Sequence, residues 1–215
     1  SKATATASPA VEFQVKPNVQ DQVDLMTACS GDVRYVTRGR APQTNLKFRH
    51  ALTAIRFAVG QNLSFDKTIT KITLKNVLLK SKYILSNKYD GTGATWNHTG
   101  YNTRGDVSLA GLSYKTNEDP NSIVRNQNTY RTENDILKLN DGYTFYMIPQ
   151  DLTGKVTAEV LFSDNSKITV PLTGAWKEGT TRTYKLSQKN STWTYTLLTT
   201  SPKAAAFNAT ATDKY

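Results

Sequence analysis

Cysteine and histidine are scarce in this 215-residue sequence, and it contains no long apolar run. With Cys29 as its single cysteine, the chain cannot form an internal disulfide. No apolar run approaches the roughly 18 residues that span a bilayer as a helix, so no transmembrane segment is expected. The start, SKATATASPA, lacks a basic and apolar signal peptide and is typical of a mature or trimmed terminus.

The segment LMTACS around Cys29 imitates a bacterial lipobox. A lipobox follows a charged leader and a long apolar stretch, whereas VEFQVKPNVQDQVD before this segment is polar and partly acidic. Free cysteines are most often buried. We therefore predict that Cys29 is a small buried residue near the end of a strand.

The two histidines of the chain argue against hydrolytic catalysis. A nucleophilic triad needs a histidine base beside a serine or cysteine, and no G-x-S-x-G elbow is present. His50 lies between two apolar segments, which favours a hydrogen-bonded structural role, and His98 has no spaced partner for a metal site. The acidic clusters at 117–119 and 133–141 do not fit a calcium loop, since the second places leucine where oxygen ligands are needed. The sequence predicts a non-enzymatic protein with no catalytic residues, no cofactor and no metal.

The net charge of +10 raises the question of nucleic-acid binding. The lysines and arginines are scattered, however, and alternate with apolar residues as in ITKITLK. No arginine-rich helix, zinc spacing or aromatic RNA-binding strand accompanies them. We interpret the charge as a solvated basic surface and expect no nucleic-acid partner.

Short alternating segments separated by turn residues dominate the chain. Apolar residues make up 38% and charged residues 20%, as in a soluble globular domain, and the eleven tyrosines with only two methionines favour β-structure. No amphipathic helix of ten or more residues is evident. About ten short strands therefore predict an all-β sandwich.

The stretch LKFRHALTAIRFAVG at 46–60 contains two sets of apolar residues with opposite parity. Leu46 and Phe48 share one parity, and Ile55, Phe57 and Val59 share the other. One continuous strand would point these two sets to opposite faces of a sheet. We predict two strand pieces that change register, or change sheet, at HALTA.

Two hairpins are predicted in the second half of the chain. KVTAEVLFSDNSKITVPL alternates on both sides of the turn SDNS, and TRTYKLSQKNSTWTYTLL turns at KN. The polar region 86–134 is expected to form long loops around the segment VSLAGLSY. The expected core between the two sheets consists of Phe48, Ile55, Phe57, Val160, Phe162 and Val170.

Three parts of the chain differ in composition. Residues 1–10 are rich in Ala, Thr and Ser and are expected to form a flexible arm. Residues 11–200 carry the alternating segments and are expected to form the β-sandwich domain. Residues 201–215, SPKAAAFNATATDKY, are typical of a linker or a truncated C-terminal tail.

Several segments together resemble a known family. LKFRHALTAIRFAVG, YMIPQDLTGKVTAEVLFSDN and LTGAWKEGTTRTYKLS carry, in order, an F-x-H-A-L strand start, an IPQ strand end and a W-x-x-G-x-x-x-x-Y-x-L strand. In this order the three motifs are similar to those of the fimbrillin-like proteins of Bacteroidales, the subunits of type V pili. They match here at Phe48, His50, Ala51 and Leu52, at Met147, Ile148, Pro149 and Gln150, and at Trp176, Gly179, Tyr184 and Leu186.

The resemblance implies a transthyretin-like β-sandwich that is exported as a lipoprotein precursor and placed at the cell surface, on the outer membrane. Subunits of that family polymerise when a protease removes an N-terminal strand and a strand of a neighbouring subunit fills the groove. The expected partners are therefore other pilus subunits, with a host or bacterial surface glycan or protein as a further ligand. Full subunits of that family usually have a lipidated start and a second β-domain, so this chain is expected to be a fragment or a processed form.

The segment VEFQV is the candidate for strand exchange. Val11, Phe13 and Val15 alternate, and Pro17 ends the segment, which fits a strand at a sheet edge. These three side chains would plug an apolar groove that a neighbour's strand can also fill. The alternative is an ordinary first strand of the sandwich.

A free-standing carbohydrate-binding sandwich is the alternative function. Trp96 and Tyr101 lie in a glycine-rich segment, where exposed aromatic rings can stack on sugars. The other interpretation of Trp96 is a loop anchor on the sandwich, because large aromatic residues are mostly buried. Trp176 and Trp193 lie in or beside strand patterns and are expected in the core.

Overall fold

The structure, a computed structural model, describes most of the region expected to form the sandwich. The described residues are 9–31, 39, 45–59, 67–116, 123–125, 142–188 and 195–199. Residues 1–8 of the arm expected at 1–10, the tail at 201–215, both acidic clusters and Trp193 lie outside these ranges.

Strands account for nearly all regular structure in the described ranges, together with one 3-10 turn at Val19–Asp21. The thirteen strands are β1 (Ala10–Gln14), β2 (Met26–Thr27), β3 (Arg49–His50), β4 (Thr53–Val59), β5 (Thr68–Leu78), β6 (Lys80–Ile84), β7 (Thr95–Asn97), β8 (Arg104–Lys115), β9 (Phe145–Met147), β10 (Thr157–Phe162), β11 (Lys167–Pro171), β12 (Thr181–Gln188) and β13 (Tyr195–Thr199).

The strands form two four-stranded sheets, one three-stranded sheet and one two-stranded sheet. The orders are β11-β10-β5-β8, β13-β12-β4-β9, β1-β6-β7 and β2-β3. All pairs are antiparallel except β4 and β12, which run parallel with Ala54 opposite Thr181. Together with the shared apolar core described below, this arrangement confirms the all-β sandwich class.

The change of parity in LKFRHALTAIRFAVG is a change of sheet. β3 pairs with β2, whereas β4 pairs with β12 and β9. The link between them, Ala51 and Leu52, is 0% and 2% exposed. The break therefore lets Ile55 and Phe57 point into the core while the residues before it belong to the small β2-β3 ribbon.

One buried cluster joins the two larger sheets. Phe57 lies at its centre, with its ring centroid 5.5 Å from Phe145 and 5.7 Å from Tyr184. Ile55, Val160 and Phe162 of the predicted core belong to the cluster, and Val170 packs against it while partly buried. Phe48 is wrong as a core prediction, because it is only half-buried, precedes β3 and lies outside the cluster.

The hairpin at 157–171 forms as predicted, with Val160 opposite Ile168. Asn165 adopts a φ of 62° in the turn, a conformation that asparagine tolerates better than most residues. Asp164 fixes the turn by accepting hydrogen bonds from the backbone N–H and hydroxyl of Ser166 at 3.0 and 2.5 Å. The second hairpin, β12 with β13, also forms, with its turn outside the described ranges.

Two predictions about irregular segments are wrong. The first predicted loop after Ser86 contains β7, because β6 supplies a pairing partner that a polar composition does not reveal, whereas VSLAGLSY between the loops lies in β8. Cys29 is a free thiol near the end of β2, as expected, but it is half-buried rather than buried. Its sulfur accepts a hydrogen bond from the backbone N–H of Gly31 at 3.3 Å.

β5 and β6 are one long strand interrupted at Leu79. Along β5, Ile72 and Leu74 are 1% and 0% exposed. Thr73 between them is also covered, at 6% exposed, and its hydroxyl lies 3.1 Å from that of Ser108. The interruption at Leu79 changes partners from β8 and β10 to β1 and β7, which places the N-terminal strand on its own sheet.

Candidate functional site

Among the described strands, β1 pairs only with β6 and lies at the edge of the three-stranded sheet. Val11 stands opposite Tyr83, and Phe13 stands opposite Ser81. The even-numbered residues of β1 are exposed, whereas Val11 and Phe13 are half-buried and Val15 is 2% exposed. The three residues predicted for strand exchange therefore share the inner face.

Backbone hydrogen bonds close both ends of the β1–β6 pairing. The N–H of Leu85 donates to the carbonyl of Pro9, and the N–H of Val15 donates to the carbonyl of Leu79, each at 2.8 Å. Since one strand supplies all of these partners, β1 is bound along one side. A strand bound on one side is the kind that another chain can replace.

Trp96 lies on the inner face of the same sheet as β1. Its ring contacts Phe13 edge-on at 6.3 Å between centroids and lies 5.0 Å from the Tyr83 ring. Its indole Nε1 donates to the carbonyl of Ala51 at 2.7 Å. Tyr83 is 2% exposed, and this burial raises the pKa of its hydroxyl above the ordinary value.

The expected glycine-rich loop around Trp96 is in part a strand, since Trp96 belongs to β7. The indole is half-buried and packs against the core. The hydrogen bond from the indole to Ala51 ties β7 to the segment before β4. This arrangement agrees with the interpretation of Trp96 as an anchor on the sandwich.

The outer face of β1 carries a charged contact. Glu12 accepts a hydrogen bond from the Tyr101 hydroxyl at 2.6 Å and pairs with Lys80, whose Nζ lies 3.0 Å from Oε2. Lys82 stands opposite Glu12 in the strand register. The Tyr101 hydrogen bond, followed by the Lys80 ammonium, lowers the pKa of Glu12 below its ordinary value.

The candidates for strand exchange and the candidates for glycan contact therefore meet at β1. Val11, Phe13 and Val15 face inward, where Phe13 contacts Trp96, and Tyr101 contacts the outer face through Glu12. The sequence interpretation missed Glu12, Lys80 and Lys82, although the period-two alternation of LKSKYIL places both lysines on one face.

The chain after β1 is anchored independently of it. The backbone N–H of Ser108 in β8 donates to the carbonyl of Pro17 at 2.8 Å. Gln22, 2% exposed, donates from Nε2 to the carbonyl of Lys16 and accepts from the backbone N–H of Tyr146, both at 2.8 Å. Residues from Pro17 onward are thus tied to β8 and β9 by contacts that do not involve β1.

The three family-like motifs meet around the start of β4. The N–H of Gly179 donates to the carbonyl of Leu52 at 3.0 Å. The N–H of Trp176 donates to the carbonyl of Gln150 at 2.9 Å, and its indole Nε1 donates to the Tyr184 hydroxyl at 3.0 Å. Trp176 is 2% exposed, which confirms its prediction as a core residue.

His50 is a hydrogen-bonded structural histidine, as predicted. Its Nδ1 bonds to the Asp24 carboxylate, and the pair lines a cleft of about 160 Å³ beside Thr180. The Thr180 hydroxyl donates a hydrogen bond to the carbonyl of Lys177 at 2.7 Å. The pair therefore links the segment before β2 to β3 rather than activating that hydroxyl.

The second histidine is also held by its neighbours. His98 Nδ1 lies 2.7 Å from the Ser81 hydroxyl, and burial lowers the pKa of the ring. Among the described residues, no three His, Cys, Asp or Glu side chains cluster in a way that would hold a metal ion. No helix within the described ranges is both long enough and apolar enough to span a bilayer.

Comparison with solved structures finds a similar fold in Bacteroides. A candidate cell adhesion protein of Bacteroides uniformis aligns with a TM-score of 0.55 and 13% identity over 93% of this chain and 68% of that one. A fimbrial protein of Bacteroides vulgatus aligns with a TM-score of 0.46 and 21% identity over 93% of this chain and 69% of that one. At these identities, the likeness to the first protein shows a shared fold.

Sequence comparison with functionally curated proteins gives no match. The profile of the fimbrillin-like family, in contrast, matches residues 1–203, nearly the whole chain. This match agrees with the three motifs that meet at the start of β4. The chain belongs to the fimbrillin-like family.

Proposed function

We propose that this protein is a non-enzymatic structural or adhesive subunit of a pilus on the cell surface that assembles by β-strand addition. Membership of the fimbrillin-like family supports a pilus or adhesion role, as do the fimbrial and adhesion descriptions of the structures it resembles. The partners are other pilus subunits, and the subunit is exported to the outer membrane.

The observation that carries the proposal is the one-sided attachment of β1. Val11 and Phe13 of this strand, and Val15 just after it, lie on the same face of the sheet as Tyr83 and Trp96, and the other edge of β1 has no neighbour among the described strands. Release of β1 would uncover these apolar side chains together with the unpaired backbone of β6. Apolar surface and unpaired strand edges are both unfavourable in water, so the bare edge of β6 would favour a replacement strand.

Anchoring of the following segment makes this release local. Because Pro17 and Gln22 hold the chain to β8 and β9, removal of β1 leaves both four-stranded sheets with their partners. An ordinary first strand whose loss unravels the domain would not serve exchange. The geometry therefore supports exchange over that alternative.

Removal of residues 1–16 tests the proposal. We expect the shortened chain to stay folded and either to oligomerise or to capture an added VEFQV peptide, detected by size-exclusion chromatography and fluorescence anisotropy. A scrambled peptide of the same composition is the control. Unfolding without rescue by the peptide would identify an ordinary core strand, and a folded monomer indifferent to the peptide would reduce these residues to a tether.

Glycan binding through Trp96 and Tyr101 is less well supported. The Trp96 indole is half-buried with its N–H bonded to Ala51, and the Tyr101 hydroxyl is bonded to Glu12. A sugar-stacking ring needs a free face, whereas Trp96 has Phe13 and Tyr83 against it. A host or bacterial glycan or protein ligand therefore stays a secondary proposal for this surface.

A further inference from the structure

We propose that the cleft beside the Asp24–His50 pair binds a single neutral sugar ring at the end of a glycan and is the adhesive site of the subunit. The inference rests on the adhesive part of the proposed function and places the ligand away from Trp96. This cleft of about 160 Å³, here called the Tyr146 cleft, has among its lining residues Asp24, His50, Ala54, Arg56, Tyr146 and Thr181.

The floor of the Tyr146 cleft is the outer face of the sheet that contains β9, β4 and β12. In the central strand, Ala54 stands opposite Tyr146 on one side and opposite Thr181 on the other. Phe145 and Met147 are both 0% exposed and point into the core, so Tyr146 between them points outward. The small side chain of Ala54 thus leaves a depression between a tyrosine and a threonine.

Backbone hydrogen bonds hold the cleft in place. The N–H of Ala54 donates to the carbonyl of Thr180 at 2.9 Å. The N–H of Tyr146 donates to the side chain of Gln22 at 2.8 Å, and Gln22 is only 2% exposed. A site that is already formed loses little conformational entropy on binding, which favours the capture of a small ligand.

Two polar groups of the cleft have hydrogen-bonding capacity that the protein does not use. Oδ2 of Asp24 bonds to His50, whereas Oδ1 has no partner among the described residues. The Thr181 hydroxyl likewise makes no hydrogen bond within the described ranges. A carboxylate oxygen accepts hydrogen bonds, and a threonine hydroxyl both donates and accepts them. Together they match the hydroxyl groups of a sugar.

Tyr146 supplies the apolar part of the recognition. A pyranose ring has a face of C–H groups and a rim of hydroxyl groups, and its apolar face packs on an aromatic ring. Tyr146 and Ala54 lie in the same cleft as the Asp24 carboxylate, so one sugar ring can contact both kinds of group. The cleft is smaller than the about 300–1,000 Å³ of drug-sized sites, which suits one ring rather than an oligosaccharide.

A charged ligand fits the cleft less well. The Nε of Arg56 already donates to the Thr144 hydroxyl at 2.9 Å, and the guanidinium carbon lies 5.6 Å from the centroid of the Tyr143 ring. This side of the guanidinium is therefore not free for paired hydrogen bonds to a carboxylate or phosphate. A cation would compete with His50 for Asp24 and would approach a chain of net charge +10. A neutral ring meets neither conflict.

The position of the cleft is compatible with assembly. None of the described residues that line it belongs to the three-stranded sheet of β1, β6 and β7. Sugar binding and exchange of β1 therefore use different surfaces of the same subunit.

Ligand-observed NMR on the full chain tests the site, with the methyl glycosides of glucose, galactose, mannose and N-acetylglucosamine as probes. We expect at least one of them to bind with a Kd of about 1 mM, as befits a few contacts to one ring. Ala54→Leu fills the floor and should weaken this binding more than about tenfold. Ala110→Leu is the matched control at an exposed position on the outer face of the other large sheet, and its Kd should change less than about twofold.

A second pair of variants keeps the shape of the side chains. Thr181→Val removes only the hydroxyl, so it should weaken sugar binding about three- to tenfold. Thr169→Val, at an exposed position of β11, is its control and should leave the Kd within about twofold. Melting temperatures distinguish loss of the ligand from loss of the fold, and Thr181→Val decides the outcome if Ala54→Leu does not fold.

Three results would overturn the inference. The first is that no glycoside binds, and the second is that binding is unchanged in both cleft variants. The third is that Trp96→Ala abolishes binding while Ala54→Leu keeps it, which would assign the glycan to β7. Strand exchange is measured separately on the chain without residues 1–16, so none of these results contradicts assembly, and failure of exchange would leave the Tyr146 cleft in place.

Discussion

The side chain of Gln150 accepts a hydrogen bond from the backbone N–H of Leu78 at 2.9 Å, at the residue where β5 ends. Both residues are buried, at 6% and 4% exposed. The same side chain donates from Nε2 to the carbonyl of Ile148 at 3.1 Å. The glutamine of the IPQ motif thus satisfies the backbone where the long strand breaks before Leu79.

Replacement of Gln150 by leucine should destabilise the domain. The change would leave the buried N–H of Leu78 without its acceptor, which costs about 1–3 kcal/mol. Chemical denaturation measures the free energy of unfolding. Thr173→Ala, at an exposed position after β11, is the control and should change it by less than about 0.5 kcal/mol. An equal effect at the two positions would contradict this role of Gln150.

Truncation of Phe57 tests the inter-sheet core. Phe57 is 3% exposed and contacts both Phe145 and Tyr184, so Phe57→Ala should lower the free energy of unfolding by about 3–5 kcal/mol. Leu46→Ala is the comparison, because Leu46 is 43% exposed. Urea denaturation would refute the assigned face if Phe57→Ala cost less than about 1 kcal/mol.

Substitution of Trp96 separates its structural role from glycan binding. Trp96→Phe keeps an aromatic ring but removes the indole N–H bonded to Ala51, so we expect a loss of about 1–3 kcal/mol in the free energy of unfolding. Trp96→Ala should cost more, because the contacts to Phe13 and Tyr83 also disappear. A glycan-array signal abolished by Trp96→Ala, with unfolding unchanged, would favour the carbohydrate-binding alternative.

The attachment of β1 should depend on pH through Glu12. Its pKa in the folded protein lies below the ordinary value of 4.5, mainly because of the Tyr101 hydrogen bond and then Lys80. The contribution of a carboxylate with a lowered pKa is fully present above about pH 4.5 and is lost as the pH falls through the lowered value. Hydrogen exchange of β1 amides, corrected for intrinsic rates, should therefore show weaker protection in acid.

Glu12→Gln is the control for this pH dependence. The variant should show weakened β1 protection at neutral pH and little further change on acidification. A wild-type profile in the variant would mean that other carboxylates govern the release of β1.

Local alternation made the strands predictable, but their partners were not. The hairpin at 157–171 follows from alternation on both sides of one turn, since the partner is adjacent in sequence. The pairing of β4 with β12 joins segments that no local pattern relates. Phe48 shows the same limit, because parity assigns it a face but not the small sheet to which its segment belongs.

The sequence predicted the apolar inner residues of β1 but not the polar contacts on its outer face. Val11, Phe13 and Val15 follow from period-two alternation before Pro17. The role of Glu12 required knowledge that β6 is the neighbour of β1, because an exposed glutamate in a strand carries no signal of its own. Tyr101 was chosen as an aromatic ring, yet the structure uses its hydroxyl.

The parallel pairing of β4 with β12 has a consequence for the timing of folding. Ala54 meets Thr181, so the central pair of this sheet brings together segments separated by more than half of the chain. Closing so large a loop costs chain entropy before the contacts between the two strands can form. Domains rich in such pairings therefore fold slowly. During synthesis, β4 emerges long before β12, so this edge of β4 stays unpaired until the late strand is made, and unpaired strand edges are prone to associate with other chains.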